Sequence, residues 1–172
     1  MGAEFFTACP GCHVLDCGCG GGANIKTLLK LCPNGKVQGI DYSAVSVEKA
    51  RKVNARAIAA GRCAVQQASV TELPFKAEQF DVVTAFETVY FWPELAQNFR
   101  EVYRVLKPGG VFFICNEANG ETTKDDKWTQ IIDGMAIYTD ADLKVDLEQA
   151  GFYQIQSHKN KKGWLCVTAQ KR

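Results

Sequence analysis

A glycine cluster flanked by two acidic residues has the composition of a ligand-binding loop. A short apolar run ends in Asp16, and Gly18 and Gly20 follow it directly. Asp41 closes the next apolar run. Glycine has no Cβ, so backbone at this loop can turn sharply and approach a ligand closely. A helical pattern begins near Ala23. The loop is therefore expected at a helix N-terminus and at the carboxyl end of a strand, where open α/β sheets bind ligands.

The two carboxylates bear on which ligand this loop would hold. We expect Asp16 and Asp41 to face one crevice. A phosphate there would be repelled by Asp16, whereas a cationic ligand would be attracted and could donate its ribose hydroxyls to Asp41. S-adenosylmethionine fits this description because it carries a sulfonium, an ammonium and a ribose but no phosphate. The glycine spacing alone also satisfies many NAD(P)-binding folds, so a dinucleotide stays open on that motif.

Further motifs follow in a fixed order along the chain. They occupy residues 14–22, 39–43, 72–75, 80–83 and 105–110. In this order and spacing the chain resembles the class I S-adenosylmethionine-dependent methyltransferases, from about Val14 to the C-terminus. The resemblance implies methyl transfer to a small-molecule acceptor, with S-adenosyl-L-methionine as cofactor and S-adenosyl-L-homocysteine as product. The alternatives are an NAD(P)-binding oxidoreductase and a cofactor-binding domain without catalytic activity.

The resemblance also implies which positions meet the cofactor. They are Asp16, Gly18 and Gly20 for the methionine end, Asp41 for the ribose hydroxyls, Tyr42, Ser69 and Val70 for the adenine, and Phe86 for the methionine amine through its carbonyl. Many relatives carry an acid where Ser69 stands. Adenine recognition through a hydroxyl or a water is the expectation here.

The acceptor side is expected directly after the fourth strand, where the family places substrate-side groups. Glu87 is the most distinctive residue there, and a base, a cation anchor or a hydrogen-bond acceptor are all open roles for it. Tyr90 is the second catalytic candidate. Trp92 is expected as an apolar wall of the acceptor pocket, with a core position as the alternative. Tyr138 is a further substrate-side candidate.

Strands and helices alternate along the chain, which predicts an α/β fold. We expect a Rossmann-like, doubly wound, mostly parallel seven-stranded sheet that ends in an antiparallel hairpin. Ser43 is expected to cap a helix that reaches about Ala60, and Pro93 to begin another. Thr139 and Asp142 have the spacing of a capping box.

Residues 1–172 are interpreted as a single methyltransferase domain. Only about a dozen residues precede the first strand, where the family usually has one or two helices, so the chain is expected to be either naturally minimal or without an N-terminal lid. The connection 116–137 is long for a compact domain, which makes it a candidate lid.

Composition limits the partners. Twenty basic and nineteen acidic side chains leave a formal charge of +1, so nothing favours nucleic acid or an anionic membrane. The chain has no run of about eighteen apolar residues and no signal pattern, so we expect no membrane insertion and a cytoplasmic location. The sequence does not indicate an oligomeric state.

Eight cysteines raise the question of disulfides or metal. Cys9-Pro10-Gly11-Cys12-His13 has the letter pattern of a redox pair or a haem attachment site. The simpler interpretation is a turn before the first strand. Because several other cysteines fall in predicted interior strands, we expect reduced thiols throughout and no metal.

Overall fold

One sheet with helices on both faces organises the computed structural model, which describes residues 10–121 and 125–172, except for the side chain of Asp126. The strands are β1 His13–Cys17, β2 Lys36–Asp41, β3 Cys63–Gln67, β4 Phe80–Phe86, β5 Leu106–Asn116, β6 Tyr153–Lys159 and β7 Leu165–Gln170. The helices are α1 Ala23–Leu31, α2 Ala44–Val53, α3 Ala55–Ala59, α4 Leu95–Val105, α5 Asp126–Ile131 and α6 Asp140–Gln149. A 3-10 turn spans Val89–Phe91.

The strand order confirms the predicted topology. It runs β3-β2-β1-β4-β5-β7-β6, with β1 to β5 parallel and β7 antiparallel to both of its neighbours. Helices connect β1 to β2, β2 to β3 and β4 to β5, and a loop connects β3 to β4. Because these strands are parallel, the carboxyl ends of β1 to β5 meet at one edge of the sheet. The loops that follow these strands are the ones that can build a shared site.

Successive side chains along a strand point to opposite faces of the sheet, so the core has one part on each face. Neighbouring residues of β1 illustrate this, because Val14 packs in the cluster that includes residues of α1 and α2, and Leu15 packs in the cluster that includes residues of α4 and α6. Both are fully buried. Strands that bury side chains on both faces have nearly continuous apolar sequences, which is why they could be predicted from the sequence.

Two helix starts test the capping predictions. Ser43 caps α2 by accepting from the backbone amide of Ser46, and Thr139 and Asp142 form the predicted capping box of α6. The prediction that Pro93 begins a helix is wrong. Glu94 takes a left-handed conformation (φ 45°) as N-cap, so α4 begins at Leu95, two residues after Pro93.

The helix predicted from Ser43 to about Ala60 is interrupted. α2 ends at Val53 because Asn54 leaves the helical conformation with φ −110°, and α3 follows it. The buried Asn54 side chain donates to the carbonyls of Ala50 and Gly22. This break therefore ties the end of α2 to the glycine loop.

The expectation that every cysteine is reduced is wrong at Cys12, which is disulfide-bonded. Pro10 and Gly11 form a turn that reverses the chain just before it, and Cys9 lies outside the described residues, as do residues 122–124 of the candidate lid. The described cysteines that are buried thiols rather than disulfide-bonded are Cys17, Cys19, Cys32, Cys63, Cys115 and Cys166. No helix in the described ranges combines the length and apolar character needed to cross a membrane.

Candidate active site

The glycine loop is held at the carboxyl ends of β1 and β2 by its own backbone. The amides of Gly18 and Cys19 both donate to the carbonyl of Ile40, at 2.9 and 2.8 Å. Asp41 completes the arrangement, because its Oδ2 accepts from the Gly20 amide at 2.8 Å and its Oδ1 accepts from the Ser43 amide at 2.9 Å. One carboxylate thus fixes the loop and the start of α2 together.

Two adjoining hollows open at this edge and share part of their walls. The first, which we call the glycine hollow, has a volume of about 490 Å³, and the second, the adenine-side hollow, about 420 Å³. The residues common to both are Gly18, Asp41, Tyr42, Thr88 and Phe91. Together they form an elongated cleft with Asp41 at its middle, which suits a ligand with two different ends.

Two loop glycines meet different requirements. A Cβ built on Gly20 (φ +50°) has no atom within 4 Å, so this position faces open space in the glycine hollow. A Cβ on Gly18 (φ +74°) would lie 2.1 Å from Thr88 Oγ1. Gly18 is therefore needed for the close approach of Thr88, a cleft residue that the sequence analysis missed. Its signal was its position two residues after β4.

Asp16 does not line either hollow, although it was expected to face the crevice. It is fully buried, and Thr84 Oγ1 donates to its Oδ1 at 2.8 Å while its Oδ2 has no partner. Burial raises the pKa of Asp16 to about 7, the Thr84 hydrogen bond opposes this, and the charge of Asp41 adds to it. A nearby cation would offset the cost of ionising this buried acid.

The residues present fit S-adenosylmethionine on these grounds. The glycine loop leaves room at Gly20, and Asp16 supplies an unsatisfied buried acceptor close in sequence to that loop. Each Asp41 oxygen accepts from one backbone amide, and a carboxylate oxygen has two lone pairs, so capacity is available for hydroxyl donors. A phosphate would meet acidic groups here and no basic one among the described lining residues of the glycine hollow.

The predicted adenine residues come together in the adenine-side hollow. Tyr42 is 77% exposed, Ser69 is exposed and Val70 is buried, and all three line it. Ser69 Oγ lies 2.8 Å from Thr71 Oγ1. Asp133 also lines this hollow and was not anticipated as a cofactor-side residue.

Glu87 stands between the glycine hollow and a third hollow of about 260 Å³, which we call the side hollow. Its φ is +57°, uncommon for a residue with a side chain. Burial raises the pKa of Glu87 above its ordinary value. Its Oε2 accepts from the Tyr90 hydroxyl at 3.4 Å, and its Oε1 accepts from the Glu117 amide.

Tyr90 is buried and its hydroxyl is occupied. It accepts from the Ala118 amide at 2.9 Å and lies 3.2 Å from the Ala118 carbonyl. Burial, with the charge of Glu87, raises the pKa of Tyr90 far above its usual range. The phenol therefore stays protonated, which suits a role in holding Glu87.

The other predicted residues divide between cleft and core. Phe86 lines the glycine hollow and packs on Phe113. Trp92 belongs to both the cleft and the core, because it lines the adenine-side hollow and stacks on Phe112. Tyr138 packs against the core and lines none of these three hollows.

Parts of the 116–137 connection line two of the three hollows. Asp133 and Gly134 line the adenine-side hollow, and Trp128, Ile132 and Met135 line the side hollow. The Ala136 amide also donates to the Tyr90 carbonyl at 2.9 Å. In the described ranges, no group of His, Cys, Asp or Glu is placed to hold a metal ion.

Known proteins are similar to this chain in sequence and in fold. The family model described as "Methyltransferase domain" matches residues 15–114. The chain is 36% identical over 111 residues to a demethylmenaquinone methyltransferase of Symbiobacterium thermophilum, which covers 64% of this chain and 44% of that protein. It is 32% identical over 105 residues to cycloartenol-C-24-methyltransferase 1 of Oryza sativa, which covers 61% of this chain and 30% of that protein.

A solved structure extends the likeness to nearly the whole fold. A SAM-dependent methyltransferase from Aquifex aeolicus superposes with a TM-score of 0.83 at 22% identity and covers 98% of this chain and 87% of its own. The chain spans less than half the length of the two curated relatives named above. The matched domain contains the glycine loop, Asp41 and the β4 and β5 strands. The chain belongs to the class I S-adenosylmethionine-dependent methyltransferase family.

Proposed function

We propose that the cleft binds S-adenosylmethionine and that the chain transfers its methyl group to a small-molecule acceptor. The observation that carries this proposal is the position of Asp41, which lines both hollows while its two oxygens hold the glycine loop and the start of α2. The family membership and the named relatives, which methylate small molecules by their names, support the same conclusion.

The cofactor residues that we propose keep the sequence-based assignment, with additions. Gly18 and Gly20 would face the methionine end, with Asp16 acting through its charge and Phe86 through its carbonyl. Asp41 would hold the ribose. The adenine would lie among Tyr42, Ser69, Val70 and Trp92, with Thr88 between the two ends.

The chemistry supplied by the bound cofactor is an electrophilic sulfonium methyl group. In the transfer, an acceptor atom forms a bond to the methyl carbon, the carbon–sulfur bond breaks with its electron pair left on sulfur, and any acceptor proton leaves to a base or to solvent. The chain contributes alignment and exclusion of water. We place Glu87 and Tyr90 on the acceptor side, with the 116–137 connection as the lid.

Glu87 is suited to hold the acceptor because it faces both the glycine hollow and the side hollow. Tyr90 would act through Glu87, since its hydroxyl donates to that carboxylate. Tyr138 stays a weaker proposal as a substrate-side residue, because it packs against the core.

A direct test follows S-adenosylhomocysteine release with a panel of uncharged and charged small acceptors. We expect cofactor binding without an acceptor, and product release only with a suitable one. Gly20→Val is the matched inactive control. Binding of NAD(P) in place of S-adenosylmethionine would favour the oxidoreductase alternative. Binding of S-adenosylmethionine without turnover of any acceptor would favour the silent domain.

We also propose a cytoplasmic location, a single domain over 1–172 and no nucleic-acid partner. Six described cysteines are thiols, as is typical of a reducing compartment, although Cys12 is disulfide-bonded, and the near-neutral charge gives no electrostatic attraction to phosphate backbones. Microscopy of the tagged protein and a salt-dependent binding assay with duplex DNA and RNA would test these points.

A further inference from the structure

The side hollow is lined mostly by apolar and aromatic side chains and by two acidic ones. Its walls include Phe91 from the 3-10 turn and Trp128, Ile132 and Met135 from the 116–137 connection. Its volume of about 260 Å³ lies near the lower end for small-molecule pockets. A compact, mostly apolar group is the kind of ligand that such walls favour, because it loses little by leaving water.

Glu87 connects this hollow to the cofactor side. It is the acidic residue that lines both the side hollow and the glycine hollow. Its left-handed backbone is fixed by the Glu87 amide, which donates to the Cys115 carbonyl at 2.9 Å. Such conformations persist where surrounding structure imposes them, and they concentrate at functional sites.

The carboxylate of Glu87 is held in place but not saturated. It receives hydrogen bonds from the Glu117 amide and the Tyr90 hydroxyl, one at each oxygen. A carboxylate has about four lone-pair positions, so acceptor capacity remains for a ligand donor. Because the Ala118 amide holds the Tyr90 hydroxyl in place, the Glu87 carboxylate is oriented before a ligand binds.

The charged side chains that line the side hollow have one sign, and Lys127, Lys159 and Lys162 line a neighbouring hollow instead. Glu87 and Glu117 line the side hollow, and among its described lining residues there is no lysine, arginine or histidine. Two carboxylates of the same sign would repel an anionic ligand group at this site. A donor group, neutral or cationic, would instead be attracted.

We propose that the methyl acceptor is a compact apolar molecule that presents an N–H or O–H donor to Glu87 in the side hollow, and that acceptors with a carboxylate or phosphate at this end are rejected. This inference rests on the proposed function, because it specifies the acceptor of the same site. Glu87 is the residue that determines the specificity.

Three probes with the same phenyl ring and nearly the same length separate the possibilities: 2-phenylethylamine, 2-phenylethanol and phenylacetate. Saturation-transfer NMR titrations would be run on the full chain with saturating S-adenosylhomocysteine. We expect the amine and the alcohol to bind and the carboxylate to bind at least tenfold more weakly. Amine binding stronger than alcohol binding would identify a cation site, and equal binding a neutral donor site. Either result supports the proposal.

The variant Glu87→Gln removes the charge while keeping the shape. It should weaken amine binding about tenfold, which corresponds to the loss of one charge-assisted hydrogen bond of about 1.4 kcal/mol. Glu48→Gln is the control, because Glu48 pairs with Lys52 on an exposed helix face. S-adenosylhomocysteine binding reports whether each variant is folded.

The outcomes are distinguishable. Failure of the unaltered chain to bind S-adenosylhomocysteine would contradict the proposed function. With that ligand bound, binding of phenylacetate as tight as that of the amine and the alcohol or tighter, or no binding of any probe, would overturn the acceptor proposal before any variant is measured. Unchanged amine binding by a folded Glu87→Gln protein would overturn the role of Glu87.

Discussion

Replacing Asp41 with alanine tests the middle of the cleft. The Asp41 carboxylate accepts from the Gly20 and Ser43 amides at 2.8 and 2.9 Å, and it is only 8% exposed. Both ribose hydroxyls of the cofactor would lose a charged acceptor. Hydrogen bonds to a charged group are worth about 1.5–3 kcal/mol, so we expect roughly a ten- to more than hundredfold loss of affinity.

The substitution should also lower the free energy of unfolding. Two backbone amides lose their acceptor, and a donor left unsatisfied on folding costs about 1–3 kcal/mol. A stability loss alone would not distinguish a binding role, so affinity must be measured below the unfolding transition. Urea unfolding gives the free energy of unfolding, and isothermal titration of a native sample of the same preparation with S-adenosylhomocysteine gives the affinity.

Asp81→Ala is the matched control. Asp81 also holds a backbone amide, that of His13 at 2.8 Å, and an ion pair with Lys107 at 2.7 Å. It lies near the start of β4, at the sheet edge away from the cleft. We expect Asp81→Ala to destabilise without loss of affinity. Equal affinity losses in the two variants, or none in a folded Asp41→Ala protein, would refute the placement of the ribose.

Four further predictions concern the loop, the buried acid, the thiols and the lid. Gly20→Val should abolish cofactor binding in a titration, whereas Gly61→Val should not, since both glycines have positive φ and no atom within 4 Å of a built Cβ, but Gly61 does not line the cleft. Because the folded-state pKa of Asp16, about 7, lies above its unfolded value of 3.8, stability falls as pH rises between these values; urea unfolding should show Asp16→Asn gaining stability over the unaltered chain through that window and no further gain above it. Thiol titration should find six slow thiols in the native protein that react fast after denaturation, because all six are buried. Hydrogen exchange in the 116–137 connection should slow when cofactor and acceptor bind, and shortening the connection should reduce turnover far more than cofactor affinity.

Local signals made much of the scaffold predictable. The apolar runs of β1 to β5 predicted buried parallel strands, and the Ser43 cap and the Thr139–Asp142 capping box marked helix starts correctly. These features depend on residues close in sequence. The order of motifs then indicated which strand ends would meet.

The features that sequence missed depend on contacts between distant residues. The break at Asn54 arises because its side chain reaches Gly22, 32 residues away. Asp16 is buried against Thr84 of another strand, which no spacing in its own segment indicates. Asp133 and Gly134 line the adenine-side hollow beside residues more than 30 positions earlier in the chain.

The most direct test of the central claim is a calorimetric titration of the unaltered chain with S-adenosylmethionine, S-adenosylhomocysteine and NAD(P), each alone and in competition. We predict one-to-one binding of the first two at one shared site and no binding of NAD(P). Binding of NAD(P) that excludes S-adenosylmethionine, or no binding of either sulfur compound by the folded chain, would contradict the proposed function.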